Sequence, residues 1–204
     1  MTWHTEAIEG NPAAWCAIEL ALIDLLARST GQTVESWLSL PALEGPFRYT
    51  AVLGDAGEAA LTAMAQGYRR MGFTDFKVKL SGDIERDRAK MAVLDSFQSP
   101  AIRVRVSKMG GLLRSLGVVS AARARGIPII VGAQVGETSV LTRAALTVAQ
   151  AAAPDLLAQE RAFGTFLLEH DVCEPSLMFG AGGMLDPRTY PLLDTPGFGL
   201  QVAR

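Results

Sequence analysis

Hydrophobic and polar residues follow one another along this chain in a pattern that predicts alternating helices and strands. Asn11-Pro12 is typical of a helix start, and apolar residues recur behind it at helical spacing as far as Gly31. Shorter β-branched or alternating runs predict strands at 47–53, 73–80, 102–107, 127–131 and 155–159. Further helices are predicted at 55–71, 83–97, 112–125 and 138–153. Because strands and helices alternate, the predicted fold class is α/β with a parallel sheet.

The stretch 102–112 (IRVRVSKMGGL) predicts a strand that enters a helix through a glycine turn. Residues two apart on a strand share a face, so Arg103, Arg105 and Ser107 are expected on the same side. The Gly110-Gly111 turn brings backbone N–H groups close to the end of the strand. This order of strand, cation, glycine turn and helix is typical of an anion-facing site.

Composition and charge narrow the class of protein. Of the 204 residues, 49% are hydrophobic and 20% are charged, with a net charge of −2, which is typical of a globular protein and not of a disordered chain or a nucleic-acid binder. Cys16 and Cys173 are too far apart for a CxxC metal site. The apolar stretch 13–27 contains Glu19 and Asp24, so we expect no membrane span. Without an export signal at the N-terminus, a cytoplasmic location is expected.

Candidate chemistry gathers where the predicted parallel strands end. The carboxyl ends of such strands meet at one edge of the sheet, and the following residues lie there: Lys77, Lys79, Arg105, Lys108, Gln134 and Glu137. A lysine crowded by another cation has a lowered pKa and can act as a base near neutral pH. Two solvated edge charges are the alternative for Lys77 and Lys79, and the pattern leaves both open.

Several segments resemble the mandelate racemase and muconate lactonizing enzyme family of the enolase superfamily. They are 11–38, 76–80 (FKVKL), 104–112 (VRVSKMGGL), 132–142 (GAQVGETSVLT), 159–164 (QERAFG) and 196–199 (PGFG). The resemblance implies a capping domain over a (β/α) barrel. In such a site, Mg²⁺ stabilises an enediolate after a lysine removes the proton α to a carboxylate.

The same resemblance implies roles for individual residues. Lys79 takes the position of the base, with Lys77 beside it. Lys108 matches the lysine before the glycine turn and is a further catalytic candidate. Arg105 lies where many members carry a second catalytic lysine. A guanidinium stays protonated in proteins, so Arg105 is expected to hold a carboxylate and not to act as a base. Three residues are expected to contact substrate: Gln134, Glu137 and Glu160.

The chain also departs from the family pattern. Members carry three acidic metal ligands on the third, fourth and fifth barrel strands, and the interval 83–101 has no room for those strands. We therefore expect a partial (β/α) barrel of about five parallel βα units. The expected division is a helical remnant of the cap at 1–45, the barrel at 46–164 and a C-terminal segment at 165–204. Mg²⁺ is expected from the family, but its ligands are absent from this pattern.

Two functions stay open from the sequence. The first is a racemase, epimerase, cycloisomerase or dehydratase that acts by proton abstraction, although the missing ligands argue against turnover. The second is a non-catalytic relative that binds an anion or pairs with another chain. The expected partner is a small carboxylate or another anion, with no nucleic acid and no membrane, and a homo-oligomer is an additional option.

Overall fold

The described part of the chain is an alternation of helices and strands. The computed structural model describes residues 5–54, 56–74, 76–78, 102–124, 126–160 and 167–203. The helices are α1 (Thr5–Gly10), α2 (Pro12–Ser29), α3 (Val34–Trp37), α4 (Glu58–Arg70), α5 (Val106–Met109), α6 (Leu112–Arg123) and α7 (Ser139–Ala152). The strands are β1 (Phe47–Leu53), β2 (Phe76–Val78), β3 (Ile102–Val104), β4 (Ile129–Val131), β5 (Leu156–Glu160) and β6 (Met184–Leu185). The predicted helix at 83–97 and Lys79 lie outside the described residues.

The strands form one open sheet. Its order is β2-β1-β5-β4-β3 with parallel neighbours, and β6 pairs antiparallel with the start of β1. β2 and β3 stand at opposite ends of this order, and across the described residues they do not pair with each other. The sheet is therefore not closed, which agrees with the predicted partial barrel of parallel βα units.

The two faces of the sheet differ in how well they are covered. One row of residues in register across four strands is buried throughout: Tyr49, Gln159, Val131 and Val104. The neighbouring row is half-buried or exposed: Ala158, Ile130 and Arg103. Since the first row lies in the main hydrophobic core, the second row belongs to the more open face, which in a closed barrel would point inward.

Strand β3 is shorter than its alternating sequence predicts. It ends at Val104, and the amide groups of Lys108 and Met109 donate hydrogen bonds to the carbonyl oxygen of Arg105, which begins α5. Ser107 is therefore a buried helical residue and does not share a strand face with Arg105. The local pattern is overridden because α5 packs against α2, so tertiary contact and not strand propensity decides this segment.

Helix α2 packs against α5 and α6, and the carboxylate of Glu19 holds it there. Its start is capped as predicted, with the Asn11 side chain accepting a hydrogen bond from the amide of Ala14 at 3.2 Å. The carboxylate of Glu19 accepts a hydrogen bond from the amide of Leu113 at 3.2 Å, at the start of α6. Gly111 has φ 122 and no room for a β-carbon beside that carboxylate, so glycine is required there.

The C-terminal segment closes over α2 and α7. The amide of Phe198 donates to Asp24 at 2.7 Å, and the guanidinium of Arg28 donates to the carbonyl oxygen of Leu200 at 2.7 Å. This segment consists largely of turns, as its glycines and prolines predict. The division of the chain at residues 45 and 164 stays a prediction.

Helix α7 is buried on nearly every side. Its small residues Ala144, Ala145, Ala149 and Ala152 allow close approach of the sheet and the C-terminal segment. Leu146 in the same helix is fully buried, so truncating it to alanine would cost about 2–5 kcal/mol. Among the described helices, none is long and apolar enough to cross a membrane.

Candidate functional site

The open face of the sheet ends in a group of charged side chains. Gly132, directly after β4, lets three of them converge, because a β-carbon placed on it would lie 3.0 Å from Arg103 Cγ, Arg105 Cγ and Glu160 Oε2. The two arginines come from β3 and its end, and the glutamate ends β5. The carboxyl ends of three parallel strands thus bring together residues that are far apart in the sequence.

Arg103 and Glu160 form an ion pair across this edge. Arg103 Nε lies 2.5 Å from Glu160 Oε1. The carboxylate side chain is 4% exposed and that of the arginine 38%, so the acid is the buried partner. A buried carboxylate needs a cationic partner. The partner of Glu160 in β5 is Arg103 in β3, and β4 separates these two strands along the chain.

Arg105 is half-buried at the same edge. Its Nε atom is buried, and across the described residues it has no hydrogen-bond acceptor. A buried donor left without an acceptor costs about 1–3 kcal/mol. The site therefore contains a guanidinium that is positioned to bind an added acceptor, such as an anion.

Glu137 is the second buried carboxyl group, in the loop between β4 and α7. Burial raises its pKa from 4.5 to about 7, and the nearby negative charge of Glu160 adds to this effect. The backbone of Gln134 and the positive charge of Arg105 act in the opposite direction and do not offset the burial. Glu137 therefore exchanges its proton near neutral pH, as a general acid or base must.

Gln134 and Lys108 lie in different elements, Gln134 in the loop after β4 and Lys108 in α5. Gln134 Nε2 donates a hydrogen bond to Ser107 Oγ at 2.8 Å, which ties the loop after β4 to α5. Lys108 is exposed in the last turn of α5. The substrate contact predicted for Gln134 and the catalytic role predicted for Lys108 stay predictions.

The predicted lysine pair lies at one end of the described sheet. The backbone of Lys77 is in β2, in register with Val52 of β1. Lys79, the predicted base, lies outside the described residues. The roles of both lysines stay predictions.

Three buried or paired side chains near the site were not predicted from the sequence. Tyr49 and Gln159 are adjacent in register, both 2% exposed, and their side-chain polar atoms have no hydrogen-bond partner across the described residues. Burial and the charge of Glu137 raise the pKa of Tyr49. The pairing of Arg103 with Glu160 was likewise not predicted. Polar residues in otherwise apolar strands were the available signal, but the register that joins them is not visible in the sequence.

A cavity of about 310 Å³ lies along β1 and β5. Its lining includes Arg48, Thr50 and Ala158. The lining also includes Phe47 and Leu156, the first residues of β1 and β5, so the cavity extends toward the amino-terminal ends of these strands and away from the charged edge. This volume is at the lower end of the range of small-molecule sites.

Helix α2 borders the same region. Burial raises the pKa of the Cys16 thiol in α2 to about 12, and the charges of Glu19 and Glu137 contribute. Since an electrostatic influence of this kind requires proximity, α2 lies near the loop that carries Glu137. A raised thiol pKa keeps Cys16 protonated at neutral pH, which makes it a poor nucleophile.

The carboxylates at this edge do not fit a magnesium ion. In residues 5–54, 56–74, 76–78, 102–124, 126–160 and 167–203, no three Asp, Glu, His or Cys residues are grouped so as to hold a metal. Glu160 is ion-paired with Arg103, and Glu137 keeps its proton up to about pH 7. Mg²⁺ prefers several ionised or neutral oxygen ligands in octahedral geometry, which this pair does not provide.

A sequence model of the family described as Enolase C-terminal domain-like matches residues 98–204, just over half of the chain. The chain belongs to this family. The match begins before β3 and includes the charged edge, and it confirms the resemblance to the mandelate racemase and muconate lactonizing enzymes of the enolase superfamily.

One curated relative of this enolase-superfamily chain is a cis-3-hydroxy-L-proline dehydratase from Roseibium aggregatum. It is 33% identical over 81 residues, which are 40% of this chain and 22% of the dehydratase. The aligned region thus spans about a fifth of that enzyme.

Solved structures of the superfamily share the fold over nearly the whole chain. The dipeptide epimerase from Cytophaga hutchinsonii, complexed with Mg and the dipeptide D-Ala-L-Val, has a TM-score of 0.80 at 15% identity, covering 96% of this chain and 72% of the epimerase. The 2-chloromuconate cycloisomerase from Rhodococcus opacus 1CP has a TM-score of 0.77 at 18% identity, covering 97% of this chain and 73% of the cycloisomerase. At these identities the likeness concerns the fold, which is a partial barrel of the enolase type.

Proposed function

We propose that this enolase-superfamily chain binds a small carboxylate at the charged edge formed by Arg105, Glu137 and Glu160. The observation that carries the proposal is the buried Nε of Arg105, which has no acceptor across the described residues. A guanidinium binds a carboxylate through two parallel N–H···O bonds, and such charge-assisted bonds are about twice as strong as neutral ones.

The charges around Arg105 favour an anion. The positive charge of Arg103 is compensated by Glu160, whereas the Nε of Arg105 has no acceptor in the described residues. Glu137 is protonated below about pH 7, so under these conditions it adds a hydrogen-bond donor and no negative charge. A carboxylate bound here would meet the Nε of Arg105, which is unpaired across the described residues, and one carboxylic acid.

The names of the relatives support the substrate class. The Cytophaga epimerase is complexed with a dipeptide, which carries a carboxylate, and the Roseibium relative is named for a hydroxyproline, an amino acid. We extend to this chain only the shared chemistry, a small carboxylate with a hydrogen on the α-carbon.

A second candidate function is proton transfer at that α-carbon, and the near-neutral pKa of Glu137 favours it. In this reaction Lys79 would act as the base with Lys77 beside it, Arg105 would hold the carboxylate, and Glu137 would exchange a proton. Lys108, Gln134 and Glu160 would position the substrate. Incubating the protein with amino acids, their N-acyl derivatives and sugar acids in D₂O tests this function. Deuterium at the α-carbon supports it, and no exchange across the panel contradicts it.

Carboxylate binding is tested by titrating succinate while the melting temperature is followed. We expect a concentration-dependent rise for the wild type, because a ligand that binds only the folded state stabilises it. Arg105→Gln should abolish the rise, and Arg105→Lys should retain part of it. Arg188→Gln is a matched control, since this exposed arginine pairs with Asp186 away from the site. A rise that survives Arg105→Gln would contradict the proposal.

The predicted homo-oligomer is also a proposal. Along α2 the side chains of Ile18, Leu22, Leu25 and Leu26 are 46–62% exposed. An uncharged apolar stripe of this kind supports an interaction surface. Sedimentation equilibrium of the wild type and of Leu22→Glu tests it, and a monomeric wild type would contradict it. The cytoplasmic location stays a prediction.

A further inference from the structure

The distribution of charge at the candidate site differs from what a divalent cation requires. Arg103 and Arg105 both approach Gly132, and their Cγ atoms lie equally close to the place where a β-carbon would stand. Both positive charges of the site therefore belong to arginine side chains at the carboxyl end of β3.

The negative groups at the same edge are already engaged or neutral. Glu160 is in contact with Arg103, and Glu137 retains a proton near neutral pH because it is buried. A divalent cation placed between these carboxyl groups would have to displace a guanidinium and a proton. It would also stand next to Arg105, whose like charge opposes it.

Arg105 offers what the site would otherwise obtain from a metal ion. Its Nε is buried and has no acceptor across the described residues, so the donor is already desolvated and oriented. Glycine at position 132 is what lets both arginine side chains approach, since any larger residue would contact them at 3.0 Å. The anion would then be bound by fixed donors and not through a cation.

We propose that Arg105 supplies the positive charge that binds an anion at this site, while Arg103 neutralises Glu160, so that a small dicarboxylate binds without any divalent cation. Arg105 contacts the anion directly, and Arg103 is a positioning residue that compensates the negative charge of Glu160. This inference rests on the proposed carboxylate binding and adds its independence from metal.

The test is isothermal titration calorimetry of the full chain with succinate, whose own affinity for Mg²⁺ is weak. One titration is made in EDTA and the other with millimolar Mg²⁺. We expect dissociation constants that agree within about twofold. Arg105→Gln should weaken binding about tenfold or more in both buffers, because a hydrogen bond to a charged group is lost. Arg105→Lys keeps the charge but not the planar fork, and its affinity should be intermediate.

The possible outcomes distinguish the metal independence inferred here from the carboxylate binding on which it rests. Binding in EDTA that is lost in Arg105→Gln supports both. Binding that appears only with Mg²⁺ overturns the metal independence and leaves the carboxylate site standing. Absence of binding in both buffers overturns the carboxylate site and the inference with it. Circular dichroism of each variant shows whether it is folded, and Arg188→Gln should bind like the wild type.

Discussion

Two clusters of arginine and glutamate in this protein use the same residue types and differ in how completely their polar atoms are satisfied. In the first, Arg143 of α7 and Glu35 of α3 are 1% and 4% exposed and form a two-pronged ion pair at 2.7 and 2.8 Å. The remaining Nε of Arg143 donates to the carbonyl oxygen of Phe198, and Thr147 donates to Glu35. This cluster holds α3 and the C-terminal segment against α7.

The second cluster is the charged edge of the sheet. Arg105 has a buried donor without an acceptor in the described part of the chain, and Glu137 is buried near Arg105, whose charge does not offset the burial. The pKa values show the contrast. Burial alone would raise the pKa of Glu35, but the hydrogen bonds and charge of Arg143 hold it below its usual value. Burial raises the pKa of Glu137 to about 7 because Arg105 does not compensate it.

The difference shows how to distinguish a structural pair from a functional one. A cluster in which every donor meets an acceptor contributes to stability and specificity of packing, and has no capacity for a ligand. A cluster with a spare donor and a titrating acid has a stability cost that a ligand can remove. The predictions below test whether the two clusters differ in this way.

The largest effect is expected from Arg143→Met. It leaves the carboxylate of Glu35 buried without a cation, which should lower the free energy of unfolding by about 3–5 kcal/mol. Urea denaturation measures the change. The double variant Arg143→Met/Glu35→Leu removes both charges and should recover most of the loss. A loss below about 1 kcal/mol in the single variant would show that the pair of Arg143 and Glu35 contributes little to the stability of the fold.

The next effect is a pH dependence caused by Glu137. Its folded-state pKa of about 7 lies above the unfolded value of 4.5, so the folded state binds the proton more tightly. Its contribution to stability is fully present below pH 4.5 and is lost as the pH rises to about 7, by about 3 kcal/mol in total. Glu137→Gln should remove this loss in urea unfolding at pH 4, 5.5 and 8. Glu9→Gln, at an exposed carboxylate, is the control and should follow the wild type. Parallel profiles for the wild type and Glu137→Gln would contradict the prediction.

The smallest effect on stability is expected at an exposed ion pair, which serves as a reference for the two buried clusters. Arg123 and Asp155 lie 2.7 Å apart with side chains 46% and 27% exposed. Arg123→Ala should lower the free energy of unfolding by about 1 kcal/mol or less, and added salt should reduce the difference. If this variant were as costly as Arg143→Met, burial would not be what distinguishes the pairs.

The sequence predicted those parts of the fold that depend on local pattern. The start of α2 at Asn11-Pro12, the strand at 47–53 and the position of α7 follow from caps and from apolar periodicity, and the structure confirms them. The α/β class followed from the alternation of these elements. The predicted length of β3 was wrong. The strand ends at Val104 because the next residues form α5, which packs against the distant helix α2.

The candidate residues were recognisable in the sequence, but their relations were not. Arg105, Glu137 and Glu160 were singled out from strand ends and family resemblance, whereas the pairing of Arg103 with Glu160 depends on the strand order β5-β4-β3. Whether a charge is satisfied depends on which side chain stands opposite, and that is set by register and packing between segments distant in the chain. The sequence therefore determined which chemical groups this protein carries. Only the tertiary structure decided which arginine is paired with a carboxylate, which one has a buried Nε without an acceptor in the described residues, and which carboxyl group is buried deeply enough for its pKa to rise.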